Sequence, residues 1–287
     1  VRPRLEAVCD TDPRALAWFD RIDTVRLRTD DYRRLLDDPG IDVLYIAVPH
    51  NLHAELYVAA AAAGKDFLAE KPFGIDLPAA ERIATAVEEH GVFVRCSSEM
   101  PFYPGAQLAV DVVRSGAVGQ VIEAHAAFLH SSDLDRNKPV NWKRRVETCG
   151  EIGVLGDLGM HAVHVPFRLG WIPSSVYAVL QDLVEERPDG RGGSAVCDTF
   201  ENATLHTTVT GPGRAFPLSI ATKRIAPGEM NTWRFQVLGM DGGVEFSTRS
   251  PQVVRRFRVD GDGRQVWEEV QPGNRSVFPT VTGAIFE

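Results

Sequence analysis

The sequence predicts two domains of different class: a parallel, doubly wound α/β domain over residues 1–98, and an α+β domain over 99–287 built on a large, mainly antiparallel open sheet. Three observations carry this. Residues 1–98 alternate short apolar runs with helical stretches, a βαβαβ rhythm whose parallel strands need right-handed crossovers. After Ser98 that rhythm stops, and beyond Gly170 strand-like runs follow one another across short turns with no long helix between them. At 287 residues the chain is also long enough for each part to bury its own core.

In the first domain, Leu5 to Cys9 reads as a short buried strand closed by Asp10, and Asp12-Pro13 opens a helix through Phe19. Thr29 and Asp30 are placed to cap a helix carrying Tyr32, Leu35 and Leu36, which stops at Pro39-Gly40. Asp42 to Val48 is almost wholly apolar, the pattern of a strand covered on both faces by helices. A helix from about Leu52 to Ala63 ends at Gly64, and Asp66 to Ala69 is the next strand. Asp76 caps a helix over 77–90 that tolerates Pro78 in its first turn, and 92–96 is a further strand. The chain opens at Val1 close to a strand and stops at Glu287 after an apolar segment. It therefore reads as a fragment lacking a first strand, a glycine-rich turn and its C-terminal end.

The second domain begins with a helix near 104–115 and a strand over 121–130. An irregular polar stretch, 131–148, carries Trp142 and leads into Gly153-Val-Leu-Gly-Asp157-Leu-Gly-Met-His161-Ala-Val-His164. Seven strand-like runs follow, at 176–183, 199–208, 215–223, 233–238, 243–247, 253–259 and 264–270. Turn signals separate them at Pro188-Asp-Gly190, Gly211-Pro-Gly213, Asp241-Gly242 and Asp260-Gly-Asp-Gly263.

Composition narrows the function. With 31 Lys and Arg against 39 Asp and Glu, the formal net charge is −8, which argues against a nucleic-acid groove or a polybasic membrane surface. No apolar run approaches the roughly 20 residues of a membrane span. Cys9, Cys96, Cys149 and Cys197 are far apart, with no Cys-x-x-Cys, so a zinc knuckle is not expected. Scattered thiols suit a reducing compartment, and a cytoplasmic location is expected; a signal peptide ahead of Val1 stays open.

Ligands of open α/β sheets gather beyond the carboxyl ends of strands. Three stretches stand there. Asp10 closes the first visible strand, as a ribose-binding acid or as a turn carboxylate. Pro49-His50-Asn51-Leu52-His53 follows the most apolar strand, either as a ligand wall or as a capping turn with Asn51 as the cap. Glu70-Lys71-Pro72 follows the next strand; an ammonium there costs several kcal/mol to bury unless paired, so the lysine is a candidate for chemistry. In the second domain, Asp157, His161 and His164 fall at i, i+4 and i+7 and share one helix face. Such a face binds a metal, moves protons or is an ordinary polar edge. Metal is the weakest of these, because the two imidazoles stand at i, i+3 and the glutamate of a zinc helix is lacking; no metal is expected.

Taken together, Ala63-Gly-Lys-Asp-Phe-Leu-Ala-Glu70-Lys71-Pro72, Pro49-x-Asn51-x-His53 and Asp157-x-Gly159-x-His161 resemble the Gfo/Idh/MocA oxidoreductases, NAD(P)-dependent enzymes acting on sugars, inositols and similar polyols. The resemblance implies a truncated Rossmann domain followed by an open-sheet substrate domain. It implies that Lys71 hydrogen-bonds the reacting carbinol oxygen, that His161 accepts the hydroxyl proton, and that Asp157 holds substrate or orients the basic groups. Asp10 and Glu70 would contact cofactor ribose, favouring NAD over NADP because a carboxylate repels a 2′-phosphate. Pro49, Asn51 and His53 would line the nicotinamide side, and Trp142 would reach the cofactor or pack beside it. His164 and Lys143 are not counted. The chain departs from the family at Pro101, where an arginine is usual, at Glu151-Ile152-Gly153, where three glycines are common, and at His164, where Asp or Asn is.

The resulting expectation is hydride transfer between a nicotinamide cofactor and a sugar, inositol or similar polyol or ketone. A non-enzymatic dinucleotide or sugar sensor of the same fold, and NAD-assisted glycoside cleavage without net redox change, are the alternatives. The open sheet suggests a homodimer or homotetramer.

Overall fold

The computed structural model describes residues 3–210 and 213–273, and the chain divides into two compact units between Ser97 and Ser98. In the first, β1 (Ala7–Cys9), α1 (Pro13–Trp18), β2 (Leu27–Thr29), α2 (Arg33–Leu36), β3 (Val43–Ile46), α3 (His53–Ala62), β4 (Asp66–Ala69), α4 (Leu77–His90) and β5 (Val94–Cys96) alternate along the chain. Every strand pairing is parallel, in two ladders, β1-β2 and β3-β4-β5. Ile41, Leu44, Tyr57, Phe67, Ala69 and Ile83 form the core between β3, β4, α3 and α4.

Local chemistry sets the helix ends. The Asp12 side chain accepts from Arg14 N at 2.9 Å, and the Asp76 side chain from Ala79 N at 2.7 Å, each satisfying a first-turn donor. Gly91 ends α4 at φ 64°, a left-handed conformation that glycine adopts without a Cβ penalty.

Three local expectations are corrected. Leu27–Thr29 is a strand, so Thr29 closes β2, while the carboxylate of Asp31 takes Arg33 N at 3.0 Å. Val43 and Tyr45 are 61% and 63% exposed, so the apolar run of β3 is covered on one face only within this unit. Asn51 caps nothing; His50–Leu52 is a 3-10 turn ahead of α3, and neither turn opens on a side-chain cap.

The second unit contains α5 (Pro104–Arg114), β6 (Val121–Leu129), α6 (Val146–Cys149), α7 (Gly153–Arg168), β7 (Pro173–Gln181), a hairpin of β8 (Glu186–Pro188) and β9 (Ser194–Val196), then β10 (Asn202–Val209), β11 (Phe216–Lys223), β12 (Thr232–Gly239), β13 (Gly242–Ser247), β14 (Val254–Val259) and β15 (Gln265–Val270). Eight strands form one sheet in the order β15-β14-β13-β12-β6-β11-β10-β7, antiparallel except where β6 and β11 run parallel. Strand alternation sends Ala124, Ala126, Phe128, Leu218, Ile220, Trp233, Phe235 and Val237 into a core shared with Val154, Leu158 and Val165 of α7. Helix α7 thereby lies along β6 and β11. The hairpin β8–β9 was visible in the sequence only as the turn at Pro188. Gly211 and Pro212 of a second expected turn lie outside the described residues, as does the segment 274–287 with the expected incomplete C-terminal end.

Candidate active site

In the first unit the expected cofactor residues stand beyond the carboxyl ends of parallel strands. Asp10 is exposed after β1, where its carboxylate accepts from Asp12 N at 2.8 Å. Pro49 precedes the 3-10 turn on which Asn51 is exposed and His50 buried. His53 is wholly buried and stacks on Tyr57 with ring centroids 4.9 Å apart. Its Nδ1 lies 2.7 Å from the carbonyl of Pro72 and its Nε2 3.0 Å from that of Val48, so the ring ties the end of β3 to the turn after β4. Burial holds this imidazole below its usual pKa, although the two carbonyls pull the other way. As the neutral ring it donates from one nitrogen at a time.

The Glu70-Lys71-Pro72 turn is fixed by its surroundings. Tyr45 donates its hydroxyl to Glu70 Oε1 at 2.6 Å, and the Lys71 N–H donates to Oε2 at 3.3 Å. The Glu70 carboxylate raises the Tyr45 phenol to about 12. Tyr57 donates to the Glu70 carbonyl at 3.0 Å, and the Lys71–Pro72 peptide is cis. Lys71 itself is half-buried. Carboxylates at Asp10 and Glu70 are acceptors of the kind ribose hydroxyls need, so the donor and acceptor set of this unit fits NAD.

In the second unit α7 brings Asp157 and His161 onto one buried face. Lys143 Nζ lies 3.0 and 3.2 Å from the two oxygens of Asp157, and Arg224 donates to Oδ2 from Nε at 3.3 Å and from Nη2 at 3.2 Å. The buried carboxylate thus lies between two cationic side chains, which offset the cost of its burial. His161 Nδ1 is 3.4 Å from Ser98 Oγ and 3.8 Å from Glu99 Oε2, and its ring packs on Phe128 with centroids 4.8 Å apart. A hydroxyl and a carboxylate thus flank one nitrogen of this ring. His164 faces elsewhere: its Nε2 accepts from Arg168 Nε at 3.2 Å, and burial, then Arg168, holds it below its usual pKa.

Trp142 stands on a 3-10 turn, Trp142–Arg144, with the Lys143 ammonium 5.5 Å from its ring centroid. The irregular stretch around it is held by buried guanidiniums. Arg144 pairs with Glu201, and Arg187 donates to the carbonyls of Asp133 and Asp135 at 2.6 and 2.7 Å. Among the described residues, no three His, Cys, Asp or Glu side chains converge as metal ligands.

The expectations drawn from the sequence do not include Arg224 and do not count Lys143. The signal for Arg224 was strand parity. Phe216, Leu218, Ile220 and Thr222 all point inward from β11, and Arg224 is the next inward position, where a charge must find a partner. For Ser98 and Glu99 nothing local gives the role away.

Comparison with known proteins agrees with this geometry. A family profile described as "Oxidoreductase family, NAD-binding Rossmann fold" matches residues 2–98, and the "GFO/IDH/MocA C-terminal domain" matches 106–245. Levoglucosan dehydrogenase of Pseudarthrobacter phenanthrenivorans is 27% identical over 283 residues, covering 94% of this chain and 72% of that protein. Trans-1,2-dihydrobenzene-1,2-diol dehydrogenase of Mus musculus is 26% identical over 226 residues, 73% of this chain and 66% of the relative. An uncharacterized oxidoreductase of Bacillus subtilis is 32% identical over 207 residues, 70% of this chain and 58% of its own. The chain thus spans between 58% and 72% of the length of these relatives. A solved levoglucosan dehydrogenase in complex with NADH and L-sorbose matches with a TM-score of 0.84 at 26% identity, over 93% of this chain and 70% of that one. An inositol dehydrogenase homolog from Azotobacter vinelandii, complexed with NADH and myo-inositol, matches with a TM-score of 0.72 at 20% identity over 87% of this chain and 62% of its own, which speaks to fold alone. With one family's two domains matched in chain order, over the parallel unit and then over the open sheet, the protein belongs to the Gfo/Idh/MocA oxidoreductases and carries their NAD-binding Rossmann domain.

Proposed function

We propose that this protein transfers a hydride between NAD and a secondary alcohol, or the corresponding ketone, of a sugar or cyclitol. The observation that carries the reading is the buried face of α7, where His161 stands beside Ser98 through Nδ1 and Asp157 is paired with Lys143 and Arg224, in a chain that also has Lys71 beyond β4. Hydride leaves a carbinol carbon only as its hydroxyl loses a proton. His161 takes that proton, the role imidazoles most often fill in general acid–base catalysis. The Lys71 ammonium hydrogen-bonds the carbinol oxygen and stabilises the developing alkoxide. Asp157 orients these groups and the substrate. NAD, when bound, supplies the hydride acceptor.

Asp10 and Glu70 take the ribose hydroxyls, which selects NAD over NADP. Pro49, Asn51 and Trp142 line the cofactor, and His53 acts from beneath by holding the Val48 and Pro72 carbonyls. The sugar named for the levoglucosan dehydrogenase complex supports the substrate class. Copies of the chain pair through the sheet face opposite α7, where Glu123, His125, Ser219 and Gln236 are partly exposed at alternate positions. Four cysteines that remain thiols suit a reducing compartment such as the cytoplasm.

The test is NADH absorbance in full-length protein supplied with NAD and a panel including levoglucosan and myo-inositol, with L-sorbose and NADH for the reverse direction. Lys71→Ala is expected to lower kcat by roughly 10³-fold or more with little change in Tm. Unchanged turnover in that variant would sink the mechanism. Product without net NADH would replace hydride transfer to substrate by transient oxidation.

A further inference from the structure

We propose that Arg224 is a positioning residue. It ties Asp157 to the Trp142–Arg144 turn and so holds the Lys143 ammonium at the substrate side of α7. The proposal rests on the hydride-transfer reading for what that ammonium serves, and on geometry alone for how it is held.

Arg224 follows β11 and is 2% exposed. Its backbone is fixed on both sides: its N–H donates to the Glu201 carbonyl at 3.0 Å, and its carbonyl accepts from Asp133 N at 3.2 Å. Its guanidinium reaches three separate segments. Nε and Nη2 take Asp157 Oδ2 on α7, Nη1 donates to the Lys143 carbonyl at 2.9 Å, and Nη2 lies 3.6 Å from Cys149 Sγ on α6. Lys143 is therefore held twice. Its carbonyl is gripped by Arg224 directly, and its ammonium is gripped by the carboxylate that Arg224 fixes.

The exposures show what this accomplishes. The side chains of Asp157 and Arg224 are each 3% exposed, while that of Lys143 is 38% exposed. A buried carboxylate needs a cation, and Arg224 provides one from within the core. Lys143 can then satisfy Asp157 and still present N–H donors outward. Without Arg224, the buried carboxylate would lose the cation that fixes it from within the core, and the Lys143 carbonyl would lose a donor. Lysine cannot replace the arginine fully, because an ammonium lacks the planar fork with which Arg224 gives two N–H groups to Asp157 Oδ2 and a third to the Lys143 carbonyl.

The experiment compares full-length wild type with Arg224→Met and Arg224→Lys. Hydrogen–deuterium exchange, followed by mass spectrometry, should show uptake over 141–149 rising about fivefold or more in Arg224→Met and less in Arg224→Lys, with α5 peptides unchanged. In kinetics on a polyol that wild type oxidises, Arg224→Met and Asp157→Asn should each lower kcat/KM by about tenfold or more. The double variant should be no worse than the poorer single, as expected of residues acting through one another.

Unchanged exchange over 141–149, or multiplicative kinetic losses in the double variant, overturns the proposal. If Arg224→Met does not fold, Arg224→Lys with the same two readouts decides. If wild type oxidises no polyol, the hydride-transfer reading fails while the exchange data still judge Arg224.

Discussion

His53 is a buried imidazole between two carbonyls in the first unit, and His164 is a half-buried one beside Arg168 in the second. Both have pKa values depressed by burial, so the native state binds fewer protons than the unfolded chain, whose histidines titrate near 6.5. Their contribution to stability is complete above that value and is lost as pH falls through the depressed native values. Tm is therefore expected to fall as buffer pH is lowered from 7.5 to about 5.5, and His53→Gln should remove part of that slope. A His53→Gln variant that melts with the wild-type pH dependence would show that another group is responsible. The same scale explains which candidate residues are legible in the sequence. Lys71, Asp157 and His161 stand in short motifs, each within a few residues of its defining neighbours. Arg224 is 67 residues from Asp157 and 81 from Lys143, and only strand parity marks it. Contacts of that span are made by the sheet, so no local pattern records them.

Gly105, in the first turn of α5, shows how closely elements are fitted in the second unit. A Cβ there would fall 2.1 Å from Cε2 of Phe246 on β13. That ring is 1% exposed and lies among Tyr103 and Trp233, so it has little room to yield. Gly105→Ala should destabilise the protein by about 1–3 kcal/mol through overpacking, outweighing alanine's better helix propensity. Thermal unfolding checks this; a Tm equal to or above wild type would mean that the helix can move away from the sheet. Elements with strong chemistry were legible beforehand: α4 between Asp76 and Gly91, and the alternating strands β11 and β12. Weakly marked elements were not. Leu27–Thr29 has three residues with an arginine at its centre, and β8 and β9 have three each with no apolar alternation. Their strand character comes from the ladder that receives them.

Across the whole molecule, the chain is acidic, with a formal charge of −8, and presents one open sheet. If copies pair through that sheet as proposed, light scattering on the full-length protein should give two or four chain masses. Ala221→Arg, on the outward face of β11, should shift the population toward one. A wild-type monomer at micromolar concentration would remove the pairing from the proposal. The three buried arginines around 131–149 have a consequence of another kind. Pairs such as Arg26–Asp38, with an arginine side chain 46% exposed, stand in water, where salt at physiological strength screens charges beyond about 8 Å. Arg144 with Glu201, and Arg224 with Asp157, are sealed from that solvent and are screened far less. Ionic strength therefore acts on the outer charges of the first unit and leaves the grip on Trp142 and Lys143 largely untouched. Adaptation to a saltier or more dilute cell would rewrite the one set of residues and spare the other.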